Sequence, residues 1–260
     1  MPLKGRVVAL TGASGGLGRD VAQVLAERGA ELLVIGRHRG DIPGVRFLNA
    51  DLADEGETLA ACEALAGEPI DVLVNLAGIQ HFGPLEAEAP EHLRATFLVD
   101  LVAPVMLARA VLPGMKQRKS GQIVNLGSIF GSINYAHFAS YSSAKAGLRG
   151  FSEALRRELK DTPIAVTYIA PRAVATGLSR GNVLAFAKLS GMSLDDPRKT
   201  AMRIVDAIIS RRKDVYLGMP ENIFVRLNAL LPRVVDAALA RNDRKARGLF
   251  VSPAPKDLHP

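Results

Sequence analysis

The chain has 260 residues and a formal net charge of +7, and 48% of it is hydrophobic. That length allows one α/β domain with a sizeable core without requiring two, and the hydrophobic share excludes a disordered chain. Cys62 is the single cysteine, which excludes an intrachain disulfide and a cysteine-built zinc site.

The opening MPLKGRVVALTG lacks the apolar run of a signal peptide, and no stretch reaches the 18 to 20 apolar residues of a membrane span. A cytoplasmic enzyme is expected. The positive charge is concentrated: 211–247 holds nine Lys/Arg against four Asp/Glu. It forms no stripe along the chain and is not expected to interleave exposed aromatics, so nucleic acid is not an expected partner.

In chain order, apolar runs of strand length alternate with segments of helical period. Strands are expected near Arg6–Thr11, Glu31–Gly36, Val45–Ala50, Ile70–Asn75, Gln122–Leu126, Ile164–Ile169 and Val215–Leu217, and helices over 17–28, 55–66, 91–117, 138–160, 198–211 and 221–241. Strands this continuously apolar belong in a parallel sheet covered on both faces. The order predicts a single-domain α/β, doubly wound (Rossmann-type) parallel sheet of about seven strands over 1–247. Residues 248–260, with three prolines, are expected to form a flexible tail.

The first strand runs into Thr11-Gly12-Ala13-Ser14-Gly15-Gly16-Leu17-Gly18 and then a helix. Glycines there allow a tight turn and close approach to a pyrophosphate, and the helix N-terminus offers free N–H groups. The spacing TGxxxGxG differs from GxGxxG, and a glycine turn that binds nothing is the alternative. At the end of the second strand stand Arg37, His38 and Arg39, with no acid before Asp41. An acid would hold the ribose hydroxyls of NAD(H); Arg37 instead suits a 2′-phosphate, favouring NADP(H). Asp51 and Leu52, after the third strand, are candidates for the adenine end, unless Asp51 merely caps a turn.

Tyr141 and Lys145 lie one helical turn apart on one face. A free phenol has a pKa near 10, and a neighbouring ammonium is expected to lower it, making Tyr141 a workable general acid and base. Ser128 follows the fifth strand, placed to hold a substrate oxygen.

These motifs, in this order, resemble the short-chain dehydrogenase/reductase family from Leu3 to about Thr176. The resemblance maps Gly12, Gly16 and Gly18 onto the cofactor turn and Asn75-Leu76-Ala77-Gly78 onto the Asn-Asn-Ala-Gly segment beside the cofactor, which implies cofactor contacts for Asn75, Ala77 and Gly78. Ser128, Tyr141 and Lys145 fall on the catalytic residues, and Pro171, Ala173, Val174 and Thr176 on the stretch beside the nicotinamide. It implies carbonyl–alcohol interconversion with NADP(H), and a homodimer or homotetramer. Three positions depart from the pattern: Leu76 replaces an asparagine, Arg172 replaces a glycine, and Asp100 stands where the family's asparagine completes a proton relay. Pro104 lacks an N–H for the Asp100 carbonyl. That carbonyl is therefore expected to hold the relay water whatever the side chain; a helix kinked only for packing is the alternative.

Ile129, Phe130, His137, Phe138 and Arg172 are expected to line the substrate side, with 172–190 folding over the cofactor. Their apolar character favours a lipophilic carbonyl. His137 has no neighbouring ligands, so no metal is expected. The apolar, basic stretch 221–247 suits helix packing or a subunit contact, with an anionic membrane surface as the other possibility. A cofactor-binding regulatory or scaffold protein without turnover is the competing function, supported by Asp100 and Arg172.

Overall fold

A computed structural model describes residues 2–179 and 181–250. Seven parallel strands form one sheet: β1 (Val7–Thr11), β2 (Glu31–Gly36), β3 (Arg46–Asn49), β4 (Val72–Asn75), β5 (Gly121–Leu126), β6 (Ile164–Pro171) and β7 (Asp214–Leu217), in the order β3-β2-β1-β4-β5-β6-β7. The order reverses between β1 and β4. That is the crevice where a doubly wound sheet receives its ligand.

Alternation along β1 explains the two cores. Val8 and Leu10 pack on one face against α1 (Gly16–Glu27) and α7 (Pro197–Ile209), through Val21, Leu25, Ile204 and Ile208. Ala9 points to the other face, toward α2 (Glu55–Ala66), α4 (Ala103–Gln117) and α5 (Ala139–Glu158), with Leu65, Leu107, Val111 and Leu155. Each fully buried Leu or Ile contributes roughly 1.5–3 kcal/mol, so both faces must be covered for the sheet to be stable.

The stretch expected as one helix over 91–117 has three parts. α3 (Pro90–Phe97) passes through a π-turn, Leu98–Val102, into α4, and the Ala103 N–H bonds the Leu98 carbonyl five residues back. Pro104 supplies no N–H to the preceding turn, which accounts for the local widening. Taken together, Pro90–Gln117 is long and apolar enough by composition to cross a membrane, contrary to the expectation from residue runs. Half of its most apolar 18-residue window is buried, and the helix packs largely on α2 and α5.

Beyond β6, the expected loop contains α6 (Asn182–Ser190), whose Phe186 and Ala187 are buried. The single helix expected over 221–241 is divided at Pro232 into α8 (Glu221–Leu230) and α9 (Pro232–Arg247). Gly248–Phe250 continue as a turn on α9; the rest of the expected tail, 251–260, lies outside the described residues.

Candidate active site

The carboxyl ends of β1, β2, β4, β5 and β6 surround a cleft of about 540 Å³. At its floor the glycine turn is built for close approach. Gly12 has φ +75° and a Cβ there would stand 2.7 Å from the Ala77 Cα; one on Gly16 would stand 2.9 Å from the Thr176 Cβ. A Cβ on Gly18 would collide with the Gly12 carbonyl. The turn is backed by Thr11, whose hydroxyl accepts from the Leu76 and Ala77 N–H groups, both at 3.0 Å. This cradle of bare backbone at the start of α1 fits a pyrophosphate.

Ser14, Gly15, Leu17, Gly78, Leu52, Pro171, Ala173, Val174 and Thr176 line the cleft, as expected. Arg37 lines it too, two-thirds exposed, 3.8 Å from an Asp51 carboxylate oxygen. Asp51 lines the cleft and accepts from the Ala53 N–H at 3.0 Å, the turn-forming alternative of its two expected roles. Asn75 differs from expectation. It is buried beneath the cleft, donating to Asn125 Oδ1 at 2.8 Å and to the Pro104 carbonyl at 3.3 Å. Asn125 in turn donates to Ser152 at 2.8 Å. With Thr11 this network braces the end of β4, next to Leu76.

At the opposite end, Ser128 caps a short 3-10 turn, Ile129–Gly131, its oxygen accepting from the Phe130 N–H at 3.1 Å. Tyr141 and Lys145 reach into the same cleft from α5. Ser128, on the same cleft, favours ionisation of the Tyr141 phenol, and Lys145 Nζ lies 5.8 Å from the Tyr141 ring centre. Lys145 donates to the Leu126 carbonyl at 3.0 Å.

Asp100 is the principal surprise. Its side chain is fully buried, with Oδ1 3.0 Å from Lys145 Nζ and Oδ2 accepting from the Ile79 N–H at 3.3 Å. The expected role rested on its main-chain carbonyl; the carboxylate adds a direct contact with the ammonium. Gly78 makes room for it, since a Cβ there would stand 2.6 Å from Oδ1. Burial pushes the Asp100 carboxyl up, opposed by Lys145. Lys145 is raised by the charges of Asp100 and Tyr141 against the opposing effect of burial. Burial raises Tyr141 above its ordinary value, Lys145 pulls it down, and Asp100 pushes it up again. Lys145 thus lowers the phenol as expected, but burial outweighs it and the net direction is upward.

On the substrate side, Phe130 and Phe138 line the cleft, joined by Val183 and Phe186 of α6 and by Met192 and Leu194. Phe138 is packed by Phe82, with ring centres 4.5 Å apart, and by Phe130 at 4.8 Å. Ile129 is instead buried with Ile133 and Tyr168 behind the wall. His137 does not line the cleft; it packs against Phe82 and Phe250. Arg172 lines the cleft but is held in a bidentate pair with Asp195, at 2.9 and 2.7 Å, not poised as a bare charge over the site. α6 was missed in sequence because no side chain caps its start: Gly181 precedes it, and only the left-handed Gly191 marks its end.

A metal-ligand grouping, not expected from sequence, also emerges. His81, Glu88 and His92 each bring a ligating atom within 4.8 Å of the others.

The short chain dehydrogenase family profile matches residues 6–184. Mouse dehydrogenase/reductase SDR family member 7B is 31% identical, over 94% of this chain and 84% of the mouse protein. The 3-oxoacyl-[acyl-carrier-protein] reductase FabG of Vibrio cholerae is 32% identical, over 86% of this chain and 94% of its own. A short chain dehydrogenase from Burkholderia cenocepacia, solved in complex with NADP, superposes with a TM-score of 0.79 at 26% identity, covering 92% of this chain and 99% of that one.

Proposed function

Because the chain belongs to the short-chain dehydrogenase/reductase family, we propose that it is an NADPH-dependent reductase of a lipophilic ketone or aldehyde, with Tyr141 as proton donor. The observation that carries this reading is the convergence of Ser128, Tyr141 and Lys145 on the cleft whose other end is the glycine cradle. Family membership supports a nicotinamide cofactor. The exposed Arg37 at the end of β2, where an acid would disfavour a 2′-phosphate, supports NADP(H) over NAD(H).

When bound, the nicotinamide supplies a hydride to the carbonyl carbon. The chain supplies the rest. Ser128 donates to the carbonyl oxygen, and Tyr141, kept protonated by burial, transfers its proton to that oxygen as the alcohol forms. The buried Lys145 ammonium then stabilises the phenolate until it is reprotonated. The walls of Phe130, Phe138 and Phe186 exclude water and suit an apolar substituent on the carbonyl. The Vibrio cholerae relative is named for a reduction of this kind, of a 3-oxoacyl group.

The deciding experiment is turnover of a broad carbonyl panel with NADPH by the wild-type chain and by Tyr141→Phe. Turnover lost by at least a hundredfold in the variant, with NADPH binding retained, is expected. Binding without wild-type turnover would leave the non-catalytic reading.

Two surfaces complete the proposal. α4 and α5 expose a groove with Ala108, Leu112 and Pro113 on one side and Phe151 and Leu155 on the other, which supports pairing of these helices between copies. α8 and α9 turn Val225 and Val235 inward but leave Leu230 79% exposed, with Ile223, Phe224, Leu231 and Val234 also exposed. Arg226 and Arg233 lie among them, which supports contact with an anionic membrane beside the substrate wall.

A further inference from the structure

Between β4 and α3, on the far side of the segment that lines the cleft with Ile79 and Gln80, lies a polar cluster that the reduction does not use. Glu88 stands just ahead of α3, its side chain fully buried, and His92 stands one turn later with Nδ1 2.9 Å from Glu88 Oε1. The other carboxylate oxygen, Oε2, is buried with no hydrogen-bond partner. His81 faces the pair from the preceding loop, its ring centre 5.9 Å from that of His92, and its Nε2 is likewise buried without a partner. Gly83 leaves room beside that nitrogen, because a Cβ there would stand 2.7 Å from it. A buried carboxylate oxygen and a buried imidazole nitrogen left unmatched side by side are each costly. One cation between them removes both costs.

We propose that His81, Glu88 and His92 form a binding site for one divalent first-row transition-metal ion, of the Zn²⁺ class. Two imidazoles and a carboxylate suit such an ion better than Mg²⁺ or Ca²⁺, which prefer all-oxygen shells. Ligands at about 2.0–2.2 Å in a tetrahedron stand roughly 3.3 Å apart. The present spread of up to 4.8 Å contracts modestly on binding. His92, with 40% of its side chain exposed, leaves a fourth position open to water. The ion braces the strand-to-helix segment whose Ile79 N–H holds Asp100, a positioning role apart from hydride transfer.

The test uses the full-length, untagged, metal-stripped chain, titrated with Zn²⁺ by calorimetry and with Co²⁺ by visible absorption. Saturation at one equivalent is expected, with a tetrahedral or five-coordinate Co²⁺ spectrum and a Zn²⁺-dependent rise in thermal midpoint. Glu88→Gln and His92→Ala should each weaken binding at least tenfold, while His137→Ala leaves it unchanged. His92 is partly exposed, so its variant remains informative even if changes at His81 or Glu88 impair folding. Absence of saturable binding, or undiminished affinity in His92→Ala, would overturn the assignment.

Discussion

Lys145 Nζ sits 3.0 Å from Asp100 Oδ1, and the two side chains are 4% and 0% exposed. A charge pair this deep is strongly destabilising to break from one side, by about 3–5 kcal/mol, because the survivor remains buried. Asp100→Ala is therefore expected to lower unfolding stability by that amount in urea titration, and Asp100→Asn by less, since its amide oxygen still accepts. Equal stability of the alanine variant and wild type would mean that the pair is not formed.

The same contact sets a pH dependence. The Asp100 charge raises Tyr141, while the Lys145 charge lowers it. Carbonyl reduction uses the protonated phenol, so activity is expected to persist through neutral pH and fall only as Tyr141 ionises, above its ordinary value near 10. Removing the negative charge with Asp100→Asn lowers the phenol. The alkaline limb of kcat/KM for reduction should shift to lower pH. An unmoved limb would show that Tyr141 is not the group being titrated.

Arg37 is the test of cofactor choice. Losing a charge-assisted contact to a 2′-phosphate costs roughly 1.5–3 kcal/mol, or about 10- to 100-fold. Arg37→Ala should raise the KM for NADPH by that factor and leave the KM for NADH nearly unchanged. A parallel rise in both would place the side chain outside phosphate recognition.

Asp195 ties the end of β6 to the stretch before α7 through Arg172, and Val174 bridges to the same residue. Asp195→Ala should free the wall formed by 191–196. The expected result is a several-fold higher KM for substrate with a smaller change in kcat, read from steady-state kinetics. A fall confined to kcat would point instead to a direct role in the reaction.

For the outer face of α8 and α9, co-sedimentation with anionic vesicles at low salt is expected, and weakening as salt rises. Leu230→Glu with Leu231→Glu should abolish it without loss of fold, because both side chains are exposed. No sedimentation at low salt would reject the membrane surface.

The sheet was legible in sequence because its strands are apolar on both sides, so Val8 and Ala9 report burial on either face. Most of the cofactor cleft was legible because glycine and Arg37 sit at fixed offsets from strand ends. What escaped was long-range. His81 lies eleven residues from His92 across a loop, and periodicity says nothing about such a meeting; the Glu88/His92 spacing of one helical turn was the available signal. The Asp100–Lys145 pair was hidden for the same reason, since forty-five residues separate its members. His137 was misplaced because proximity in sequence to Tyr141 was taken for proximity in the pocket. Its positive φ of 68° turns it toward Phe250.

The wide turn at Leu98–Val102 has a consequence for the evolution of this site. One residue more or less in a helix rotates everything beyond it by about 100°. Excising Leu101 would swing the carboxylate and the α4 surface out of phase with each other. Register, as much as residue identity, therefore keeps an anion against the lysine, and a single-codon deletion there should be tolerated less well than most point changes nearby.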